Sequence, residues 1–380
     1  MNSTPIYLDN QATTRTDPRV LEAMMPYFTE IYGNPHSDSH VFGWNAQEAV
    51  DRSRVHVAQL VNADPREIIF TSGATESVNT VLRGLSNQKT KSRNRIVTVP
   101  TEHSCVLETC AALSRSGFRV EFLPIQPDGL VDLGQLKKKI NKKTLLVSVM
   151  LANNEIGVIQ PISEIAEICQ RVGAYFHTDA TQAVGKIPVD VRKLRVDFMS
   201  FSAHKYYGPK GIGATYVKWG RLPCLQPLLT GGNQENGLSP GTIPTPLVVG
   251  FGEASRIAQT DLDRDMEHCK HLSNTMFEHL ARKIPGLLLF GHTETRLPGN
   301  LNVGFPGVSG EEIVDRVGSR IAISTGSACS SQTAEPSHVL TALGLSDDIA
   351  SSGVRISVGR FNQKHEINYA AECLTEAAGY

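Results

Sequence analysis

The middle of the chain alternates short apolar segments with helical patterns, and this alternation restricts the fold more than any other feature of the sequence. The apolar segments lie at residues 95–100, 118–125, 145–151, 174–176 and 196–202. Patterns with apolar residues at helical spacing lie between them, at residues 104–116, 133–140 and 162–172. Strands that are apolar throughout and separated by helices are typical of a mostly parallel sheet covered on both faces. The sequence therefore predicts an α/β fold in which ligands bind beyond the carboxyl ends of the strands.

A different pattern begins near residue 260. A long polar helix is predicted over residues 262–283, and short strands, a further helix and a terminal helix follow it. This order is typical of an α+β unit rather than of a parallel sheet. We expect a large domain over residues 15–258 and a smaller α+β domain formed by residues 1–14 and 259–380.

Composition gives no support for a role in binding nucleic acid or membranes. Lys and Arg total 37 against 38 Asp and Glu, which gives a formal net charge of -1. A total charge of that size recruits neither nucleic acid nor an acidic membrane. No window approaches the ~20 apolar residues that span a bilayer, and the first residues do not resemble a secretory signal. We expect a cytoplasmic protein without direct nucleic-acid contacts.

The cysteines and histidines show no spacing typical of metal ligands. The chain has 7 cysteines, scattered and without a CxxC pair. Zinc sites and thioredoxin-like motifs use such pairs. We expect no metal, and we expect most of the thiols to be buried and unreactive in a reducing compartment.

Two polar residues at predicted strand ends suit an aldehyde cofactor with a pyridine ring. Lys205 ends the stretch SFSAHK, where an amine can form a Schiff base. Asp179 follows the strand at residues 174–176, where a carboxylate can keep a pyridine nitrogen protonated. Gln182 comes three residues later and can donate to a ring hydroxyl. Taken singly, Asp179 suits a helix N-cap as well, and most lysines are solvated surface groups.

Two further positions extend the same pattern. Gly73, Ala74 and Thr75 open a predicted helix directly after a strand, and a glycine turn at a helix N-terminus binds anions such as phosphate. His103 also follows a strand, where an imidazole can stack on a ring and exchange protons near neutral pH. A capping or core histidine is the alternative at that position. All these residues fall at successive strand ends, and their joint occurrence is far more specific than any one of them.

The chain resembles the fold-type I enzymes that depend on pyridoxal 5'-phosphate, and among them the class V aminotransferase-like group. More narrowly, it resembles the cysteine desulfurases of the IscS/NifS type, from residue 6 to about residue 361. The stretches that carry this resemblance are YLDNQATT, YGNPHS, FTSGATES, TEHSCV, NNEIGVIQP, HTDATQAVGK, SFSAHKYYGPKGIG and STGSACSS. The resemblance implies a large domain with a mostly parallel seven-stranded sheet, pyridoxal 5'-phosphate as cofactor, L-cysteine as substrate, and a homodimer.

The resemblance also implies a role for each matched residue. The implied cofactor residues are Lys205 as the Schiff-base lysine, His103 stacked on the ring as acid and base, Asp179 on the pyridine nitrogen, Gln182 on the ring oxygen, and Ala74, Thr75, Ser202 and His204 on the phosphate. Asn154 and Arg355 are implied to position the substrate carboxylate. Thr242 is implied to reach the phosphate of the second subunit.

Cys329 identifies the reaction. It lies in the stretch STGSACSSQT, residues 324–333, in which six of ten residues are Ser or Thr. The stretch lacks apolar anchors, so we expect it to be mobile. The resemblance implies that the Cys329 thiolate takes the sulfur of L-cysteine as a persulfide and passes it to an acceptor protein. Iron–sulfur cluster assembly, thio-modification of tRNA and DNA phosphorothioation are the alternative destinations.

Two features differ from the commonest housekeeping desulfurases. Ser239 and Pro240 stand where the family usually has an arginine-containing pair before the Gly-Thr, which puts the cross-subunit contact of Thr242 in question. The sequence stops at Tyr380, where relatives that feed scaffold proteins often continue, so we expect a specialised acceptor. A selenocysteine lyase is the alternative enzyme. A plain aminotransferase has no use for Cys329, and an inactive adaptor protein has no use for the intact cofactor residues.

Overall fold

The computed structural model describes residues 5–326 and 336–380, and Cys329 lies outside the described residues. In the described ranges no helix is long and apolar enough to cross a membrane. The strands are β1 (Ile6–Tyr7), β2 (Ile68–Thr71), β3 (Arg95–Thr98), β4 (Arg119–Phe122), β5 (Thr144–Ser148), β6 (Tyr175–Asp179), β7 (Phe198–Ser202), β8 (Gly213–Val217), β9 (Leu288–Leu289), β10 (Asn300–Gly304), β11 (Ile321–Ala322) and β12 (Gly353–Ser357).

The α-helices of the same ranges surround these strands. They are α1 (Pro18–Met24), α2 (Pro26–Thr29), α3 (Val41–Leu60), α4 (Ala74–Gly84), α5 (Ser104–Arg115), α6 (Leu133–Lys139), α7 (Ile162–Val172), α8 (Val191–Leu194), α9 (Thr245–Lys283), α10 (Gly310–Val317), α11 (His338–Ala342), α12 (Asp347–Ser351) and α13 (Lys364–Ala377).

The seven-stranded sheet that the sequence predicts is present. Its strand order is β2-β8-β7-β6-β5-β3-β4, and β8 runs antiparallel to both of its neighbours while the other pairs are parallel. The central strands β5 and β7 are buried along their whole length, which explains their continuous apolar character. The edge strand β4 is shorter than the predicted segment and partly exposed.

Successive side chains of each strand point to opposite faces, and each face has its own helices. On one face Ile69, Ile96 and Leu146 pack with residues of α4 and α5. On the other face their chain neighbours Phe70 and Val97 pack with residues of α3, α7 and α9. Helices on both faces leave the carboxyl ends of the strands as the open edge for a ligand.

The long helix α9 contradicts one prediction. It has 39 residues and begins at Thr245, well before the predicted start at residue 262. The first part of the helix is apolar rather than polar because Phe251 and Ile257 pack in the core of the large sheet. The later residues Met276 and Leu280 belong to a second core. The predicted boundary after residue 258 therefore lies inside one continuous helix, and the division into domains stays a prediction.

The second core combines the start of the chain with its last third. Strand β1 pairs in parallel with β11, and β9, β10 and β12 form an antiparallel sheet. Leu8 is buried in this core together with Val303, Ile356 and Leu374. Residues 9–13 leave this core directly after β1, and contacts described below bring them to the open edge of the large sheet.

Candidate active site

Ten of the predicted site residues line one cavity of about 580 Å³. A cavity of that size suits a cofactor and a small substrate. The ten are Ala74, Thr75, His103, Asn154, Asp179, Gln182, Ser202, His204, Lys205 and Arg355. Thr242 is exposed to solvent and does not line the cavity, and Cys329 lies outside the described residues.

Asp179 forms part of the cavity wall at the end of β6. The residue is 5% exposed, and one of its carboxylate oxygens accepts a hydrogen bond from the Thr181 amide at 2.9 Å. In the described part of the chain no helix begins directly after Asp179, so the N-cap interpretation is wrong; the bond to Thr181 belongs to a turn and engages one carboxylate oxygen only. A buried carboxylate that lines a cavity fits a positively charged ring nitrogen.

Glu102 lies beside this charge and was missed by the sequence analysis. Its side chain is fully buried, one oxygen accepts from the Met150 amide, and the other has no partner among the described residues. Burial, and then the charge of Asp179, raise the pKa of Glu102 well above its ordinary value. The shift favours the protonated form of Glu102, and Asp179 is the carboxylate that lines the cavity.

Lys205 ends a short 3-10 turn, Ala203–Lys205, that follows β7 directly. Its Nζ donates to the backbone carbonyl of Gln11 at 2.8 Å and to that of Ala12 at 2.7 Å. These carbonyls belong to the segment after β1, so the N-terminal segment helps to hold the amine at the cavity. Such a position fits covalent attachment of an aldehyde cofactor.

His103 caps α5 and lines the cavity as well. Its Nδ1 accepts from the Cys105 amide at 3.2 Å, so a neutral ring carries its proton on Nε2. Burial lowers the pKa of His103, the charges of Lys205 and His338 lower it further, and Asp179 only partly opposes them. The imidazole is therefore neutral at neutral pH, and in this tautomer Nε2–H is a donor while the lone pair on Nδ1 is occupied by the Cys105 amide.

The start of α4 forms a cradle that fits a phosphate. Gly73 precedes the helix with φ 156° and ψ -178°, and a Cβ at that position would meet only the Ser202 hydroxyl, at 3.9 Å. A side chain in place of the glycine hydrogen would fill this space. The first amides of an 11-residue helix have no partners within the helix, so they are available to an anion together with the Thr75 hydroxyl.

His204 and Ser239 lie around the same cradle. Burial, and then the charges of Lys205, Lys210 and Lys186, lower the pKa of His204 to about 4, so it acts there as a neutral hydrogen-bonding ring. Its Nδ1 contacts the Thr13 hydroxyl at 3.0 Å. Ser239, which replaces the family's arginine-containing pair, donates to Glu76 in the first turn of α4 at 2.8 Å.

Arg355 and Asn154 form the corner predicted for the substrate carboxylate. Arg355 is 6% exposed, and it donates to Asp9 at 2.7 Å and to the Asn154 carbonyl at 3.1 Å. Its Nε and the Asn154 side-chain oxygen have no partner among the described residues. A fixed guanidinium with an unused N–H fits a carboxylate ligand.

Cys105 is the one cysteine that lines the cavity in the part of the chain that the structure describes. Burial, followed by the charges of Asp179 and Glu102, raises the pKa of its thiol far above the ordinary value. A thiol is a poor nucleophile until it is deprotonated. Cys105 therefore does not suit attack on a substrate sulfur.

Besides Glu102, which does not line the cavity, the sequence analysis missed several residues that do. Asp9, Gln11 and Thr13 belong to the stretch YLDNQATT, which was noted for its resemblance alone. They form a polar run soon after the short strand β1, which the sequence analysis did not predict.

Comparison with known proteins agrees with this geometry. The family model described as Aminotransferase class-V matches residues 6–369. The chain belongs to that family. It is 47% identical over 370 residues to the cysteine desulfurase IscS of Rickettsia massiliae, a match that covers 97% of this chain and 90% of the relative.

Solved structures give the same result. A NifS-like protein superimposes with a TM-score of 0.91 at 39% identity and covers 98% of both chains. The structure of SspA in complex with cysteine has a TM-score of 0.82 at 36% identity and covers 94% of this chain and 100% of that one. The chain is therefore a cysteine desulfurase of the class V aminotransferase family, with the fold-type I architecture and pyridoxal 5'-phosphate as cofactor.

Proposed function

We propose that this desulfurase converts L-cysteine to L-alanine and holds the released sulfur as a persulfide on Cys329, from which an acceptor protein takes it. The observation that supports this most strongly is the arrangement of the 580 Å³ cavity. Lys205, Asp179 and His103 come from the ends of separate strands and line it together with Arg355. Cys105, which also lines it, is held protonated.

The reaction is balanced without an external oxidant. The Cys329 thiolate forms a bond to the sulfur of the substrate, and the C–S bond of the substrate breaks. The electron pair of that bond stays on the carbon, which takes up a proton and becomes the methyl group of alanine. The sulfur is oxidised as the carbon is reduced, and the enzyme keeps it as Cys–S–S⁻.

The residues of the cavity would hold the cofactor at three points. The cradle of Ala74, Thr75 and Ser202 would take the phosphate, Asp179 would pair with the ring nitrogen, and Lys205 would hold the aldehyde carbon. When bound, the cofactor supplies a sink for the electrons that are left on the substrate's α-carbon.

The chain's own groups would then bind the substrate and move protons. Arg355 and Asn154 would fix the carboxylate, which places the α-hydrogen and the sulfur in a constant orientation. The Lys205 amine, once released, would remove the α-proton. His103 would handle the proton of the substrate thiol: its neutral ring can give a proton from Nε2, and taking one up requires Nδ1 to release the Cys105 amide.

A homodimer and an acceptor protein complete the proposal. Large apolar side chains that are about half exposed concentrate in residues 21–44, which is typical of an interaction surface. They are Leu21, Met25, Phe28, Tyr32, Phe42 and Trp44. The exposure of Thr242 agrees with a role toward a second subunit. A cytoplasmic location and the pathway of the acceptor stay predictions.

Borohydride reduction of the holoenzyme tests the cofactor assignment, because it fixes the cofactor on the lysine that carries it. Three lysines lie at or near the cavity, and peptide mapping distinguishes Lys205 from Lys186 and Lys210. We expect the label on Lys205 and no labelled peptide in Lys205→Ala. A label on either of the other two lysines would show that the assignment is wrong.

A further inference from the structure

Lys186 is a half-buried lysine that the reaction described above does not use. It follows Gln182 by four residues on the helical turn after β6, so the two side chains lie on the same face of the turn. Gly185 precedes it with φ 75°, and a Cβ at Gly185 would lie 2.6 Å from the Tyr206 side chain. This close approach packs the turn against the core and places Lys186 behind the wall of the cavity.

Among the described residues, the Lys186 amine has one hydrogen-bond partner. Its Nζ donates to the Gln182 side-chain oxygen at 2.8 Å, and the Gln182 side-chain nitrogen donates to the Gln11 carbonyl at 2.9 Å. In its ammonium form Lys186 only donates, and a backbone carbonyl only accepts. Rotating the Gln182 amide by half a turn would oppose donor to donor and acceptor to acceptor, so these two contacts fix its orientation.

The fixed orientation determines what Gln182 presents to the cavity that it lines. A primary amide nitrogen carries two hydrogens, and one of them is used by Gln11. The second hydrogen is the group that Gln182 can offer to an oxygen of a bound ring. The same Gln11 carbonyl also accepts from Lys205 at 2.8 Å, so the chain of contacts runs from Lys186 to the proposed cofactor lysine.

We propose that Lys186 is a positioning residue that locks the Gln182 amide so that its nitrogen, and not its oxygen, faces the ring oxygen of the cofactor. This inference rests on the proposed function, in which Gln182 contacts that ring oxygen. Lys186 itself touches neither cofactor nor substrate. Its second effect is electrostatic, since a cation behind Gln182 disfavours additional positive charge at Lys205.

The surroundings of Lys186 change the pKa of its amine from that of a fully solvated lysine. It lines a small cavity of about 30 Å³ together with Gln11, Tyr207, Asp265 and Cys269. Burial lowers its pKa to about 7, the charges of Lys205 and Arg355 act in the same direction, and Cys269 opposes them. Lys186 in turn helps to lower the pKa of His204.

The test is a pH titration of the visible absorbance of the holoenzyme, which reports the protonation of the lysine-bound cofactor without turnover. An N–H beside the ring oxygen and a nearby cation both stabilise the form that has lost its proton. In Lys186→Met we expect the midpoint of the titration to rise by about one pH unit. Lys186→Arg keeps the donor and the charge, and its midpoint should stay close to that of the wild type. An unchanged midpoint in Lys186→Met with the cofactor bound would overturn the inference.

A second pair of variants separates this inference from the proposed function. If Lys186 acts through Gln182, the shift caused by Lys186→Met should be much smaller in a Gln182→Leu background. If the midpoint shifts of the two single variants add fully in the double variant, Lys186 acts by its charge alone, and the positioning role is overturned. If Gln182→Leu leaves the titration of the wild type unchanged, the contact between Gln182 and the ring is wrong instead. Should Lys186→Met fail to fold, Lys186→Leu also removes both the donor and the charge and takes its place in both comparisons that use Lys186→Met.

Discussion

His103 caps a helix and also lines the cavity, and the capping hydrogen bond determines which ring nitrogen carries the proton. The amide of Cys105 occupies Nδ1, so Nε2 carries the proton of the neutral ring and is the atom that can give one. Burial keeps the ring neutral to lower pH than an ordinary imidazole. For Glu102 the effect has the opposite sign, because burial raises the pKa of that carboxyl. In this site the pKa of a side chain therefore depends on its burial as much as on its residue type.

A pH profile tests the state of His103. Because the pKa of His103 lies below the ordinary value of 6.5, its neutral form is lost only at lower pH. We expect kcat/KM for L-cysteine to show a limb below pH 6.5 that belongs to His103, besides the loss of thiolate below the ordinary thiol pKa of ~8.5. In His103→Gln the lower limb should disappear and kcat should fall by about 10²- to 10⁴-fold. The exposed His271 supplies the control, since His271→Gln should keep both the lower limb and the rate. The absence of this lower limb in the wild type, or its persistence in His103→Gln, would contradict this.

The sequence analysis identified Lys205, Asp179 and His103 because each follows an apolar strand almost directly, and such positions meet at one edge of a parallel sheet. It did not identify Asp9 or Gln11. Their partners, Arg355 and Lys205, are more than 190 residues away in the sequence, and no local pattern shows such pairing. The role of Lys186 was also invisible, since it depends on the orientation of a neighbouring amide.

At the scale of elements, the central strands agreed with prediction and the long helix did not. Strands such as β5 are apolar on both faces, a pattern with few alternatives. The start of α9 was missed because its first residues are apolar for a tertiary reason, namely packing on the large sheet. The order of the strands was not predicted at all, since it depends on pairing between distant segments.

An ion-pair cluster links three separated segments of the chain. Arg360, which follows β12, donates to Asp17 before α1 at 2.9 Å and to Asp265 in α9 at 2.7 Å. Burial alone would raise the pKa of Asp17, but hydrogen bonds from Arg19 and Arg360 outweigh it and lower the pKa to about 2. The cluster therefore holds the N-terminal segment, which carries Asp9 and Gln11, against the last third of the chain.

The cluster makes stability depend on pH in one direction. A lowered carboxyl pKa contributes stability that is fully present above the unfolded value near 3.8 and is lost as the pH falls through about 2. At pH 7 we expect Asp17→Asn to reduce the free energy of unfolding by about 3 kcal/mol, because it leaves a buried guanidinium without one partner. The difference from the wild type should shrink below pH 4 in chemical denaturation. Glu48→Gln breaks an exposed pair with Arg52 and should cost less than about 1 kcal/mol. A deficit in Asp17→Asn that is constant down to pH 3 would contradict this linkage.

At the scale of the whole molecule, two cores meet at the substrate cavity. The large sheet supplies the residues proposed for the cofactor, at the ends of β6 and β7 and at the start of α4. The second core supplies Arg355 from β12, and the segment after β1 supplies Asp9 and Gln11. The exposed apolar residues of the segment 21–44 do not line this cavity.

The apolar segment predicts a dimer that single charges can weaken. Phe28 is 54% exposed, and burying a charge at an apolar interface is unfavourable. We expect sedimentation of the wild type to show a dimer, and Phe28→Glu to shift the equilibrium toward monomer by at least tenfold. Trp219→Glu is the matched control, since Trp219 is 67% exposed and lies outside the segment. A monomeric wild type, or equal dissociation of both variants, would exclude this surface as the interface.

The most direct measurement is peptide mapping of the holoenzyme by mass spectrometry after brief reaction with L-cysteine and trapping of its thiols with an alkylating reagent. We expect one additional sulfur on the peptide that contains Cys329, in the wild type and in the control Cys224→Ser, whose cysteine does not line the cavity. Cys329→Ser and Lys205→Ala should carry no additional sulfur and form no alanine. An additional sulfur on a different cysteine, or alanine formation that continues in Cys329→Ser, would contradict the transfer of sulfur to residue 329.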